Sequence, residues 1–310
     1  MAKGTEGLEK MTTAIEFSEV PSKYREFRRV MGVIFRRKLS LIGFIIIGAF
    51  ILTSIFARWL APYDPYEMAL TQQLQRPSME HLLGTDALGR DTLSRIIYGA
   101  QTSLVVGIGA VGLGVLIGQS LGLIAAYFKG ITFVIIMRFV DALMAVPGML
   151  IALVLAAILG GGLKNIIVAL GVAVVSGHCR LMCAQALTTT QNDYILAART
   201  MGASDLRMMM RHILPNAFPP LLVLMTMDLG VVILAEAGLS FLGIGIAPPG
   251  AAWGSMVSDG YKYLLTHPVL SFAPGLACMM VVFGFNMAGD GLRDALDPRL
   301  RGTFDESRKS

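Results

Sequence analysis

The chain alternates long apolar stretches with shorter polar segments. Four stretches of membrane-spanning length carry no charged residue: Leu39–Ala57, Thr102–Phe128, Ala142–Leu163 and Val269–Gly289. A helix needs about 20 apolar residues to cross a hydrocarbon core about 30 Å thick. Two further stretches reach that length while carrying a few ionisable residues: Asn165–Ala186 and Ala217–Gly245. The pattern predicts an all-α membrane protein with six transmembrane helices.

The composition agrees with this prediction. Of 310 residues, 55% are hydrophobic and 15% are charged, whereas an ordinary soluble domain is about 45–50% apolar and about 25% charged. These values exclude a disordered chain, a coiled coil and a secreted disulfide scaffold, and they argue against a water-soluble enzyme. The three cysteines lie in or beside apolar runs, so nothing indicates disulfides from an oxidising compartment.

The positive charges are distributed unequally between the two sides of the predicted spans. Six of the 26 Lys and Arg residues fall on one side: Arg58, Arg76, Arg90, Arg95, Lys164 and Lys262. The other 20 fall on the opposite side: before the first span, after the last span, between spans two and three, or between spans four and five. Because cytoplasmic loops are enriched in Lys and Arg, we expect both termini in the cytoplasm. The membrane that the chain spans would be the inner or plasma membrane of the cell. The net charge of +5 then reflects orientation and gives no reason to expect nucleic-acid binding.

The segment before the first span has an amphipathic pattern. Apolar residues recur at spacings of three and four between arginines: Tyr24, Phe27, Val30, Met31, Ile34 and Phe35. Such a helix can lie in the lipid headgroup layer, although a basic flank without helical structure is the alternative. Leu39–Ala57 is longer than the apolar core of a signal peptide, and no A-x-A-like site follows it, so we expect a retained span.

These patterns divide the chain into three parts. Residues 1–38 form a cytoplasmic tail with the interfacial helix, residues 39–290 form the six-helix domain, and residues 291–310 form a second cytoplasmic tail. Within the six-helix domain, residues 58–101 form a long external loop and residues 187–215 a long cytoplasmic loop.

Two motifs resemble ligand sites without the required context. Gly107–Gly112 matches G-x-G-x-x-G, but a dinucleotide site needs that turn between a strand and a helix. Here it lies inside a charge-free span, where Gly114, Gly118 and Gly122 continue a small-xxx-small register that favours close helix packing.

The second such motif is a group of possible metal ligands, His178, Cys179 and Cys183. A soft metal could use these side chains, but neighbouring residues on a helix point about 100° apart. We therefore expect these three side chains to pack within the helix bundle and not to bind a metal. The sequence also has no G-x-x-x-x-G-K-[ST] and no H-E-x-x-H, so we expect no catalytic residue and no enzyme activity in this chain.

The cytoplasmic stretch 193–216 predicts two short helices. The first ends at Gly202, a residue type suited to the left-handed conformation of a helix terminus. The second starts after Ser204, an N-cap residue type, with Asp205 near the positive end of the helix dipole. Pro215 is predicted to stop the second helix.

This stretch also carries a family resemblance. Leu196-Ala197-Ala198-x-x-x-Gly202 and Ile213-Leu214-Pro215 resemble the EAA loop of permease subunits in binding-protein-dependent ABC importers. Further blocks resemble the C-type permease of the dipeptide, oligopeptide and nickel branch: Ala61-Pro62-Tyr63-Asp64-Pro65, Leu83-Gly84-Thr85-Asp86-x-x-Gly89-Arg90-Asp91-x-x-Ser94-Arg95, Glu236-Ala237-x-Leu239-Ser240-Phe241-Leu242-Gly243, Trp253-Gly254, and Gly289-Asp290-x-Leu292-Arg293-Asp294-x-Leu296-Asp297-Pro298. The resemblance as a whole runs from about residue 22 to residue 302, nearly the whole chain.

The resemblance implies a type I ABC importer permease fold and a set of partners. These are a second homologous permease subunit, two ABC ATPase subunits that bind ATP and Mg, an extracytoplasmic solute-binding protein, and membrane lipid. No cofactor is expected in this chain. A substrate in the peptide class is expected, with nickel or another small solute as the alternative. A secondary transporter is the competing class, but it would be expected to show internal repeats, and none is clear.

The resemblance also implies that a helix at about residues 194–205 fits into a groove of an ATPase subunit. The expected coupling residues are Tyr194, Leu196, Ala197, Ala198, Arg199, Gly202, Ala203, Ser204 and Asp205. Leu196 occupies the position of the glutamate for which the loop is named, so docking would rest on shape, on Arg199 and on Asp205.

Two other groups of residues are candidates for function. Asp228 and Glu236 lie in the fifth span about 80° apart on a helix, where ionisable groups normally face the bundle interior or a wet cavity. We hypothesise that Asp228 borders the translocation path, and we expect Glu236, the second path candidate, to support packing near the outer end.

The external candidates for contact with a binding protein lie in residues 58–101 and 247–268: Asp86, Arg90, Asp91, Trp253, Asp259 and Lys262. The alternative for the first of these segments is purely structural. In that interpretation Thr85 or Asp86 caps a helix, and Arg90 pairs with Asp86 or Asp91.

Overall fold

The computed structural model describes residues 37–296, together with Met31 and Gly32. Most of the predicted interfacial helix and the chain after residue 296 lie outside the described residues, so those two predictions stay predictions.

The described part of the chain is helical, and a single isolated bridge between Thr85 and Asp91 is its only β-type pairing. A short 3₁₀ turn covers Leu70–Gln72. The α-helices are α1 Lys38–Ile55, α2 Ala57–Leu60, α3 Thr92–Phe128, α4 Gly130–Met144, α5 Gly148–Leu159, α6 Leu163–Thr189, α7 Asp193–Thr200, α8 Asp205–Arg207, α9 Leu214–Phe241, α10 Trp253–Tyr261 and α11 Val269–Leu296.

Five of the helical stretches described are long and apolar enough to cross a membrane, and there are six if the bent pair α4–α5 counts as one span. The predicted six-span, all-α architecture is confirmed. The second span is longer than predicted, because α3 begins at Thr92 and so takes up the last ten residues of the predicted external loop.

The predicted third span, Ala142–Leu163, has the wrong bounds. The structure forms α4 and α5 instead, with an 86° bend between them. Proline lacks a backbone N–H and disfavours helical conformation in the residue before it, so Pro147 separates the two helices. At 1.5 Å per residue, the 12 residues of α5 extend about 18 Å, which is less than a bilayer core.

Pro215 does not stop the helix that begins at Asp205. A π-helix over Met208–Ile213 connects α8 to α9, and helical structure continues from Asp205 to Phe241. The Leu214 N–H donates to the Met209 carbonyl, five residues back. This wider turn changes the local hydrogen-bond pattern, and Pro215 follows in the first turn of α9, where its missing N–H is tolerated.

Helices α3 and α6 pack closely along the predicted glycine register. A Cβ atom at Gly118 would lie 2.5 Å from the Val175 carbonyl oxygen, and Cβ atoms at Gly114 and Gly122 would also meet α6. There is therefore no space for a side chain at these positions, and the predicted small-xxx-small packing is confirmed. We call this contact the glycine seam.

We expect Gly118→Ala to destabilise the bundle by about 1–3 kcal/mol, because overpacking must push α3 and α6 apart. Gly112→Ala is the matched control, since a Cβ there meets nothing within 4 Å; alanine also favours helix over glycine by about 1 kcal/mol. Thermal unfolding of the detergent-solubilised protein measures both. Equal melting temperatures for the two variants would contradict the seam.

Candidate functional site

The chain between α6 and α9 contains two short helices joined by a turn, residues 193–207, which we call the coupling segment. Helix α7 ends at Thr200, and Gly202 adopts a positive φ of 82°. The Gly202 N–H donates to the Arg199 carbonyl at 3.0 Å, and the Ala203 N–H donates to the Ala198 carbonyl at 3.2 Å. This pair of bonds is a Schellman motif, which confirms Gly202 as the helix-terminating glycine.

The inner face of the coupling segment packs on the bundle. Ile195 and Ala198 are buried in one cluster with Met182, Met208 and Ile213. Ala198, predicted as an ATPase contact, therefore faces inward and anchors the segment. Ala203 is partly buried against the same cluster.

The outer face of the coupling segment and of the turn that follows it is exposed and carries several large apolar side chains among charged ones. Leu196 is 64% exposed and Met201 is 82% exposed. Ala197, Gly202 and Ser204 are also exposed. The larger exposed side chains of this face are Tyr194, Leu196, Met201, Leu206 and Met210. Exposed apolar side chains grouped on one face are typical of a surface that contacts another protein.

Tyr127, near the end of α3, connects the bundle to the charged residues of the coupling segment. Its hydroxyl donates to Oδ1 of Asp205 at 2.6 Å. The Arg199 guanidinium carbon lies 5.8 Å from the centre of the Tyr127 ring, within the range of a cation–π contact. The two predicted docking charges are therefore already engaged with α3.

Tyr127 was not among the predicted functional residues. The enrichment of tyrosine at membrane interfaces could have drawn attention to it, because it is the second-last residue of a span. Partial burial raises the pKa of the Tyr194 phenol above its ordinary value.

Inside the bundle, His178 on α6 faces Asp228 on α9. His178 is fully buried, and its Nε2 lies 3.1 Å from Oδ2 of Asp228, although neither ring nitrogen has the alignment of a hydrogen bond. The described residues hold no group of three or more His, Cys, Asp or Glu side chains suited to a metal ion. His178 thus neighbours Asp228, whose side chain is 18% exposed, and the path role of Asp228 stays a prediction.

Glu236, the other predicted path candidate, is fully buried. One carboxylate oxygen accepts a hydrogen bond from the Ser240 hydroxyl at 2.7 Å, and the other has no partner among the described residues. Complete burial favours the packing role that we expect for this residue and places it away from an open passage.

The end of the bundle opposite the coupling segment, which we call the outer end, is held together by buried charges. Asp91 caps α3, because its carboxylate accepts the Ser94 N–H at 2.8 Å. The expected cap was Thr85 or Asp86, so that assignment is wrong. Asp86 instead accepts the Arg90 Nε–H at 2.7 Å, which confirms the Asp86–Arg90 pair.

Trp253 connects the two predicted external segments at this end. It is buried, and its indole N–H donates to the Ile96 carbonyl at 3.0 Å. Arg90 and Asp91 are buried as well. These three candidates for binding-protein contact therefore have internal roles in this structure, whereas Asp259 and Lys262, with side chains 61% and 71% exposed, remain open to a partner.

The described residues form a helical fold with five or six helices of membrane-spanning length, which is the architecture of a polytopic membrane protein. The sequence matches the family described as "Binding-protein-dependent transport system inner membrane component" over residues 118–302. It also matches "N-terminal TM domain of oligopeptide transport permease C" over residues 26–77. The chain belongs to this family of inner-membrane transport permeases, and the resemblance to a C-type permease is confirmed.

Relatives match along most of the chain. A putative peptide transport system permease protein of Brucella suis is 42% identical over 88% of this chain and 91% of its own length. The dipeptide transport system permease protein DppC of Alkalihalophilus pseudofirmus is 41% identical over 86% and 88%. The glutathione transport system permease protein GsiD of Escherichia coli is 40% identical over 92% and 93%.

A solved structure supports the fold. A chain of the MetNI methionine ABC transporter in an inward-facing conformation matches with a TM-score of 0.53 and 19% identity, over 66% of this chain and 97% of that chain. The similarity confirms the predicted type I importer permease fold.

We expect Tyr127→Phe to loosen the coupling segment, because it removes the hydrogen bond to Asp205. Local opening should become easier by about 1 kcal/mol, which corresponds to about fivefold faster amide exchange. Hydrogen–deuterium exchange of peptides covering residues 193–207 measures this. Tyr98→Phe, the same change near the other end of α3, should leave exchange unchanged. Unaltered exchange in Tyr127→Phe would show that the hydroxyl does not hold the segment.

Proposed function

We propose that this chain is the membrane-spanning permease subunit of an ATP-driven importer and forms half of a translocation path for di- and oligopeptides. The names of its relatives support the peptide class. The observation that carries the proposal is the division of the coupling segment into two faces. The inner face is buried in the bundle, and the outer face is exposed and carries several large apolar side chains.

The partners that we propose follow from the family. A second homologous permease completes the path, two ATPase subunits bind ATP and Mg and perform the hydrolysis, and a solute-binding protein delivers substrate at the outer end. This chain then needs no catalytic residue and no cofactor of its own. The excess of Lys and Arg on one side supports cytoplasmic termini in the inner or plasma membrane.

The proposed mechanism uses the rigidity of the coupling segment. When ATP binding closes the ATPase dimer, the outer face of the segment moves with the groove that holds it. The buried residues Ile195, Ala198, Met208 and Ile213 share one core cluster, so displacement passes into α6 and α9 without melting the segment.

Helix α9 carries that displacement towards the outer end. It continues helically from the coupling segment to Phe241, and near its far end it touches α10, where a Cβ atom at Gly254 would collide with the Ala237 carbonyl. A rigid helix with contacts at both ends can link ATPase closure to opening at the outer end.

Peptides are preferred over nickel as the substrate. The relatives reported above are named for peptide, dipeptide and glutathione transport.

The reconstituted complex, with its second permease, ATPase subunits and binding protein, should import labelled dipeptide in an ATP-dependent manner and should not import nickel. Asp228→Asn should reduce dipeptide uptake severalfold without preventing assembly, because it removes the charge beside His178 and, by our hypothesis, from the path. Asp64→Asn, an exposed loop position, is the control. Full uptake by an assembled Asp228→Asn complex would remove Asp228 from the path, and import of nickel in place of dipeptide would overturn the peptide assignment.

Leu196→Lys should weaken ATPase-subunit binding at least tenfold, because docking would bury an unpaired positive charge at a position where the family carries a glutamate, at a cost of about 2 kcal/mol. Binding of purified ATPase subunits to the permease pair in nanodiscs measures the effect. Leu265→Lys is the matched control, since Leu265 is 99% exposed and lies in the segment between α10 and α11. If both variants bind the ATPase subunits equally well, the exposed face of α7 is not the docking surface.

A further inference from the structure

The two external segments enclose a cavity of about 250 Å³ at the outer end, and several charged residues line it. One wall comes from residues 86–95 and includes Asp86, Arg90, Thr92 and Arg95, and the other wall comes from α10 and the residues after it. The exposed side chains of Asp259 and Lys262 stand at this second wall. The cavity therefore lies where the proposed binding protein would arrive.

The charged side chains that line the cavity leave an excess of one positive charge. Arg90, Arg95 and Lys262 are cationic, and Asp86 and Asp259 are anionic. Lys262 and Asp259 lie 4.0 Å apart and are well exposed, so solvent screens them.

The two arginines of the first wall are buried and share one carboxylate. Arg90 Nε lies 2.7 Å from Oδ2 of Asp86, and Arg95 Nε lies 3.7 Å from the same atom. Arg95 also donates from Nη1 to the Pro65 carbonyl at 3.1 Å.

The neighbouring Asp91 does not supply the missing negative charge. Its Oδ1 lies 2.9 Å from Nδ1 of His81, and its Oδ2 accepts hydrogen bonds from the backbone N–H and the hydroxyl of Ser94. A buried cation without its own counter-charge is costly. An additional anion in the cavity would therefore be stabilised.

Thr92 provides a second and independent indication of a ligand. It is 1% exposed and lines the cavity, and its hydroxyl has no hydrogen-bond partner among the described residues. Buried hydroxyls are normally satisfied. Thr92 is also the first residue of α3, where the helix dipole favours negative charge.

We propose that this cavity binds one carboxylate side chain of the solute-binding protein when that protein docks on the permease. The carboxylate would accept a hydrogen bond from the Thr92 hydroxyl and balance the Arg90–Arg95 pair. A single carboxylate matches the excess of one charge. The inference rests on the proposed function, because it requires a docked binding protein.

The test uses the full complex in proteoliposomes and measures how much cognate binding protein gives half-maximal stimulation of ATP hydrolysis. Thr92→Val keeps the shape of the side chain and removes its hydroxyl. We expect the half-maximal concentration to rise about tenfold, the effect of losing a hydrogen bond to a charged group.

Ser103→Ala is the matched control. Its hydroxyl is also buried on α3 and has no partner among the described residues, but it does not line the cavity. This variant should leave the half-maximal concentration unchanged.

A second measurement uses acetate as a free carboxylate and does not depend on any variant. Sodium acetate should raise the half-maximal concentration of binding protein in the unmodified complex more than sodium chloride of equal ionic strength. The extra effect should disappear in Thr92→Val.

The outcomes separate this inference from the proposed function. If the unmodified complex responds to binding protein, but Thr92→Val behaves like Ser103→Ala or acetate acts no more strongly than chloride, the carboxylate site is wrong and the importer assignment stands. If the unmodified complex shows neither stimulation nor uptake, the proposed function fails.

Discussion

The close packing of α3 on α6 through the glycine seam is the contact on which the other features depend. Hydrocarbon chains are as apolar as leucine, so helices in a membrane associate largely through van der Waals packing at small residues. Here Gly114, Gly118 and Gly122 bring the two backbones together. Helix α3 carries the outer cavity at its start and Tyr127 near its end, and α6 leads directly into the coupling segment. The glycine seam therefore fixes the position of the outer cavity relative to the coupling segment.

Helix α9 provides the second connection between the two ends. The π-helix at Met208–Ile213 lets helical structure pass from the coupling segment into the span despite Pro215. The buried approach of His178 to Asp228 places an ionisable pair between α6 and α9. Polar groups are scarce in such an interior and their interactions are strong in a low dielectric, so this pair has a larger influence on packing than a surface pair would have.

The outer end uses charge for structure as well as for recognition. Asp86, Arg90 and Asp91 hold the chain between α2 and α3 in place, and Trp253 fastens α10 to α3. Sequence motifs rich in charge at an external surface suggest a partner, but burial assigns these side chains to internal support. The exposed Asp259 and Lys262 and the unsatisfied Thr92 hydroxyl are what remain for a partner to contact.

Local patterns were sufficient to predict the number of spans, the position of the coupling segment and its terminating glycine, and the glycine register. These features depend on the length of apolar runs, on the conformational freedom of one residue type and on spacing within one helix, and all three can be read from consecutive residues. The order of the motif blocks also identified the family.

Only the tertiary structure decided which side chains face inward and which residues meet across helices. The inward position of Ala198, the Tyr127–Asp205 bond and the neighbourhood of His178 and Asp228 join residues that are far apart in sequence. The bend before Pro147 and the passage through Pro215 also needed the structure, because a proline can break a helix or be accommodated by a wider turn. The residues that surround a proline in space, more than those beside it in sequence, determine which of these two outcomes is favourable.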